Sequence, residues 1–183
     1  MNIFMMVLLC VFAGVLLAPG RGEQDRTGPS SAALHTHNEF GFTVQAPMAV
    51  AAPLFGAAEE RKWAPEWNPQ FVQPVPAKDE LGAVFKISHP GGREATWIMT
   101  AADFAGGHVQ YVYVIPEAMT TLVDIHLSEQ SNGVTSVHVV YERTALRPAA
   151  NAHVRQFADR DAGQGPEWES AIGSYLAGRS QNK

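Results

Sequence analysis

The chain has 183 residues, 46% of them hydrophobic and 17% charged, which is enough for one well-filled domain and hardly for two. Thirteen basic against eighteen acidic residues give a formal net charge of -5, with no basic run beyond Arg61-Lys62, so the electrostatic footprint of a nucleic-acid binder is missing. The single cysteine, Cys10, lies in an apolar N-terminal run, and the rest of the chain can build no disulfide, thiolate zinc site or cysteine nucleophile.

That run, from Ile3 to Ala18, carries no charge and ends in the small residues Ala18-Pro19-Gly20, the pattern of a signal peptide over residues 1–20. Sixteen helical residues reach about 24 Å, short of the roughly 30 Å hydrocarbon core, so no stable membrane span is expected once the segment is removed. The expectation is export, to a periplasm or outside the cell. No Lys or Arg precedes the run while Arg21 and Arg26 follow it, and this flank keeps open the alternative of an anchor formed by residues 3–18. Val7-Leu8-Leu9 ahead of Cys10 lack the small residues of a lipid-attachment signal. Residues 21–38 then turn to Gly, Ser, Thr, Ala and charge, and read as a disordered linker. His35 and His37 fall inside it and read as an exposed polar tail rather than a metal site.

Glu39 to Ala46 alternates Phe40, Phe42, Val44 and Ala46 with polar or small neighbours and predicts a half-buried strand stopped by Pro47. Met48 to Lys62 is alanine-rich but contains Pro53 and Gly56, which favours two short helices over one long one. Trp63 to Pro76 holds four prolines and must be extended. Apolar alternation then returns in Ala83 to Ser88, Thr96 to Phe104, His108 to Ile115, Thr120 to Glu129 and Val134 to Arg143, separated by short turn sequences, as in an antiparallel meander. A three-residue Ser131-Asn132-Gly133 loop pairs His126 with His138 and Ile125 with Val139. One face of that hairpin carries Val123, Ile125, Leu127, Val137, Val139 and Tyr141, the other Asp124, His126, Ser128, Ser136, His138 and Glu142. Beyond Ala149 the period becomes helical, with Gly163-Gln164-Gly165-Pro166 expected to bend or interrupt the helix. The fold class is therefore α+β: a curved antiparallel sheet of about six to seven strands gripping a long C-terminal helix, with two short helices after the first strand.

The segments FTVQAPMAVAAPLFG, RKWAPEWNPQF, LGAVF, ATWIMTAADF and YERTAL, in this order, resemble the START-like, helix-grip (SRPBCC) superfamily, and within it the polyketide cyclase/dehydrase-like and lipid-transport-like group. The resemblance covers Glu39 to Gly178, a domain assigned to residues 39–178 with a tail at 179–183. It implies a deep cavity between sheet and final helix that takes a small hydrophobic or aromatic ligand, lipid-like or polyketide-like. The superfamily includes carriers and enzymes alike, so the fold implies a cavity more strongly than a reaction.

Candidate ligand-binding residues are Trp63, Trp67 and Phe71 from RKWAPEWNPQF, Phe85, Trp97, Ile125 and Tyr141 from the sheet, and Trp168 and Tyr175 from the final helix. Tyr141 adds a hydroxyl that needs a partner if it points inward. Asp124, His126 and His138 have the composition of an acid-base site, but their register places them on the polar face, toward solvent. No catalytic residue, metal site or cofactor is assigned, because phosphate-binding, dinucleotide, zincin and nucleophile-elbow motifs are missing. The favoured reading is a non-enzymatic binder. Its alternatives are a cyclase/dehydratase-like enzyme, which needs at least one His, Asp, Glu or Arg inside the cavity, and a partner-organising domain, which needs an exposed aromatic patch around Trp63 and Trp67.

Overall fold

The computed structural model describes residues 32–89 and 93–181; the expected signal peptide and most of the expected linker lie outside the described residues. Seven strands form one antiparallel sheet: β1 (His35–Val44), β2 (Gln70–Gln73), β3 (Val84–His89), β4 (Arg93–Asp103), β5 (His108–Ile115), β6 (Met119–Glu129) and β7 (Thr135–Ala145). Their order across the sheet is β1-β7-β6-β5-β4-β3-β2, so the meander is continuous and β1 returns to pair with the last strand. Two four-residue helices, α1 (Met48–Ala51) and α2 (Ala57–Glu60), follow β1 with a tight helical turn at Ala52–Phe55 between them, and α3 (Asn151–Gln181) closes the chain.

Burial alternates along each strand as a half-covered sheet requires. Val109, Tyr111, Tyr113 and Ile115 of β5, and Val123, Ile125 and Leu127 of β6, point into the core. The β6–β7 hairpin has the expected register, Ile125 opposite Val139 and His126 opposite His138. Its loop needs two left-handed residues, Asn132 at φ 69° and Gly133 at φ 70°, a backbone state that Gly and Asn tolerate best. Continuing the same alternation past Tyr141 brings Arg143 inside, 2% exposed.

Apart from β4, which starts at Arg93 and not at Thr96, the main differences from the sequence reading fall in β1 and α3. β1 starts at His35, so the linker does not reach residue 38. The inward positions Thr36 and Asn38 are polar, which hides the two-residue period. What extends the strand is pairing with β7 and the Asn38 amide, which donates to Ala158 O at 2.8 Å and Asp161 Oδ2 at 2.9 Å. Helix α3 runs uninterrupted through Gly163-Gln164-Gly165-Pro166 and continues to Gln181, past the expected domain end at residue 178. Gly165 lies against β1: a Cβ there would stand 3.2 Å from the Phe40 ring and 3.5 Å from Gly41 O. The glycine serves a close crossing instead of a break.

Helix α3 lies over β1 and β7. Thr43 donates to Glu169 at 2.7 Å, and beneath the helix Arg143 Nη1 pairs with Asp161 Oδ2 at 2.8 Å. Both ion-pair partners are buried, so the pair fixes where α3 sits along the sheet.

Candidate functional site

The sheet and α3 enclose a small interior cavity lined by Glu60, Trp67, Trp97, Tyr111, Val123, Ile125, Tyr141 and Trp168. Its walls are assembled from separate levels of the fold. Tyr111, Val123, Ile125 and Tyr141 arrive on alternate positions of neighbouring strands, and Trp97 from β4 stacks on Tyr113 with centroids 4.1 Å apart. Trp168 comes down from α3, and Trp67 closes the near side, meeting Trp97 edge-on at 5.2 Å.

Five of the nine candidate binding residues share this wall: Trp67, Trp97, Ile125, Tyr141 and Trp168. The other four lie elsewhere. Trp63 is buried behind the wall against Phe55 and Trp168, and its indole N–H donates to Leu54 O at 2.7 Å, which makes it a closure of the core. Phe85 is wholly buried and stacked on Trp97. Phe71, on the edge strand β2, packs on the outer side of Phe85 with centroids 5.4 Å apart. Tyr175 lies further along α3, under the Arg179 guanidinium at 5.7 Å.

The polar groups of the cavity are few. Tyr111 donates to Phe55 O at 2.7 Å and Tyr141 to Gln164 Oε1 at 3.0 Å, and burial raises both phenols above the ordinary tyrosine range. The Trp97 indole N–H is buried and has no hydrogen-bond partner among the described residues. Glu60, the last residue of α2, turns its carboxyl toward the same space. Burial, with a smaller contribution from the nearby Asp79 charge, pushes it up to about 8. Asp79 in turn holds α2 in place by accepting from Ala58 N at 2.9 Å. Glu60, Tyr111 and Val123 were not among the candidates: a carboxylate in a four-residue helix has no period that marks it as inward.

The cavity is small. Its volume is about 50 Å³, room for only a few waters, since about 10–15 Å³ holds one. The deep cavity implied by the resemblance is therefore filled by the aromatic side chains themselves. A larger cleft of about 470 Å³, lined among others by Arg93, Glu94, Glu117, Arg147 and His153, lies at the β5–β6 turn, but it is a surface groove without the aromatic walls. Trp63 is buried and Trp67 half-buried, so the exposed aromatic patch expected of a partner-organising domain is not formed.

Asp124, His126 and His138 all lie on the outer face, as their register requires, and none reaches the cavity. Asp124 instead contacts His108 Nε2 at 2.8 Å and His126 Nε2 at 3.2 Å, while His138 contacts Glu39 at 3.3 Å.

Comparison with solved structures gives the same architecture. Norcoclaurine synthase from Thalictrum flavum, solved with dopamine and hydroxybenzaldehyde, superposes with a TM-score of 0.60 at 12% identity, over 90% of this chain and 97% of that one. The fold is a helix-grip fold. A protein from Rhizobium leguminosarum matches with a TM-score of 0.56 at 14% identity, over 80% of this chain and 97% of that one. Ara h 8.0201 matches with a TM-score of 0.55 at 17% identity, over 79% and 99%. These neighbours belong to the Bet v 1 / SRPBCC helix-grip superfamily. At such identities the likeness is one of fold alone. No family model and no curated protein matches the sequence.

Proposed function

We propose that the domain binds a small aromatic molecule between the sheet and α3, in the manner of the START-like and polyketide cyclase/dehydrase-like proteins that its sequence resembles. The observation that carries this reading is the convergence of Trp67, Trp97, Tyr111, Tyr141 and Trp168 on one space, with Glu60 among its lining residues and the Trp97 N–H buried without a partner among the described residues. Aromatic walls supply the driving force. Burying about 150 Å² of ligand at ~25 cal/mol per Å² is worth about 4 kcal/mol before the costs of ordering. The two polar groups orient what enters. The solved complex of norcoclaurine synthase with dopamine and hydroxybenzaldehyde supports a ligand of this size and character.

A benzene-sized guest needs roughly 150 Å³, so binding requires the half-buried Trp67 or Trp168 to swing away. Long acyl chains and sterols demand a far larger opening, and the lipid-like part of the expectation is dropped in favour of the aromatic one. Native mass spectrometry of the purified protein against single-ring phenols, polycyclic aromatics, fatty acids and sterols tests this. Retention of phenolic or polycyclic compounds with quenching of tryptophan fluorescence is expected; retention of fatty acids alone, or of nothing, overturns it.

One observation favours a second reading, an enzyme of the cyclase/dehydratase type. A carboxyl held near neutral pH beside two tyrosines is suited to moving a proton to or from a bound carbonyl compound. Deuterium exchange at the acidic C–H of a 1,3-dicarbonyl probe, present with the native protein and lost in Glu60→Gln, would mark it; equal exchange in both proteins excludes Glu60 as the group responsible.

The same proposal includes export, supported by the uncharged run Ile3 to Ala18. Among the described residues no helix is long and apolar enough to cross a membrane. N-terminal sequencing of protein recovered from its native compartment is expected to begin at Arg21, and a start at Met1 or Asn2 would support the anchored alternative.

A further inference from the structure

We propose that His108, Asp124 and His126 form a binding site for one divalent transition-metal ion on the outer face of the sheet. The sheet register builds it. His108 of β5 stands directly opposite His126 of β6, and Gln110 opposite Asp124, so four polar side chains share one face of two adjacent central strands. The two imidazoles stack face to face, centroids 4.6 Å apart and planes within 5° of parallel. Both present Nε2 to Asp124, one to each carboxylate oxygen, at 2.8 and 3.2 Å. The three ligand atoms all lie within 4.8 Å of one another.

Donors bound at about 2.0–2.2 Å around a tetrahedral ion stand ~3.4 Å apart. Reaching that spacing leaves the strands in place but requires the two parallel rings to tilt toward each other, so that their Nε2 lone pairs converge on one ion. Gln110 Nε2 donates to Asp124 Oδ1 at 3.1 Å and orients the carboxylate, the supporting role that outer hydrogen bonds have around metal ligands. Without an ion, the two stacked imidazoles share one carboxylate. Two imidazoles and one carboxylate suit zinc, copper or nickel rather than magnesium or calcium, and the exposed side of the site leaves positions for water.

Sequence reading paired His126 with its hairpin neighbour His138 and so missed the partner that counts. His108 is supplied by the preceding strand, where it points the same way as His126 because the two are in register.

Isothermal titration of the purified protein with zinc chloride in metal-free buffer at neutral pH tests the site. One ion per chain is expected. Supporting hydrogen bonds alone are worth about 10–100-fold in affinity, so removing a ligand in Asp124→Asn or His126→Ala is expected to weaken binding by ~100-fold. The exposed pair His37 and Glu142 serves as the control, and His37→Ala should bind as the native protein does. Should a variant not fold, the histidine ring resonances of the native protein report the same thing, with His108 and His126 shifting on zinc addition. Absence of uptake up to millimolar zinc, or uptake lost with His37→Ala and kept with Asp124→Asn, overturns the proposal.

Discussion

Arg143 of β7 and Asp161 of α3 make a buried ion pair, Nη1 to Oδ2 at 2.8 Å, with the guanidinium also lying over the Tyr141 ring at 4.1 Å. One contact therefore ties the helix, the sheet and a cavity wall together. Burial raises the Asp161 carboxyl above its ordinary range although Arg143 and Asn38 both act to lower it, so much of the attraction offsets the cost of leaving water. Asp161→Ala leaves a buried cation unpartnered and should cost about 3–5 kcal/mol in chemical denaturation. The double replacement Arg143→Met with Asp161→Leu should recover most of that loss. A single-variant cost below about 1 kcal/mol would mean that the pair does not seat the helix.

Glu60 makes the protein's stability depend on pH near neutrality. Its folded value is raised to about 8 from an ordinary 4.5, so the native state holds a proton that the unfolded chain has already released. Stability attached to this group is complete below about pH 4.5 and is lost as pH rises through about 8. Melting temperatures of Glu60→Gln measured from pH 5 to 9 should fall less steeply than those of the native protein between about pH 5 and 8, and run parallel to them above that. Parallel curves would place the titration elsewhere.

Trp168 holds the cavity shut from the helix side, touching Phe40 at 5.6 Å, Phe42 at 6.2 Å and Trp63 at 5.6 Å between ring centroids. Trp168→Ala should destabilise the fold by about 3–5 kcal/mol, because the surrounding rings cannot collapse fully into the space. It should also speed the entry of single-ring aromatics that the native protein takes up slowly, seen as faster binding in stopped-flow fluorescence. Unchanged binding rates would assign the moving wall to Trp67 instead.

On the outer face, Glu142 lies against both His35 and His37. Its hydrogen bond and charge raise the His37 imidazole above its ordinary value, so this contact contributes below about pH 6.5 and fades as pH rises through the higher folded value. Glu142→Gln should bring the His37 titration, followed by NMR, back to about 6.5. No shift of the curve would show that the imidazole is free in solution.

Local rules made most of the framework legible. Alternation marked four of the seven strands, β3, β5, β6 and β7, to within two residues, and side-chain parity gave the β6–β7 register, because both depend only on near neighbours along the chain or across one tight turn. Where neighbours were polar on both faces, as in His35 to Asn38, the same rules had no signal. Composition likewise marked the aromatic residues as candidate walls without sorting them. Trp63 and Trp67 lie four residues apart in one motif, yet one closes the core and the other faces the cavity.

The amino-acid sequence alone determined that an antiparallel sheet would have one apolar face, that a long helix would cover it, and that Asp124, His126 and His138 would point away from it. Tertiary structure alone decided what converges: Glu60 on the aromatic cavity, Asp161 on Arg143, and His108 on Asp124 and His126. Strand periodicity is a property of the local backbone and can be read along the chain. Convergence depends on strand order and on how closely a helix can approach the sheet, which at Gly165 is set by the absence of a single Cβ.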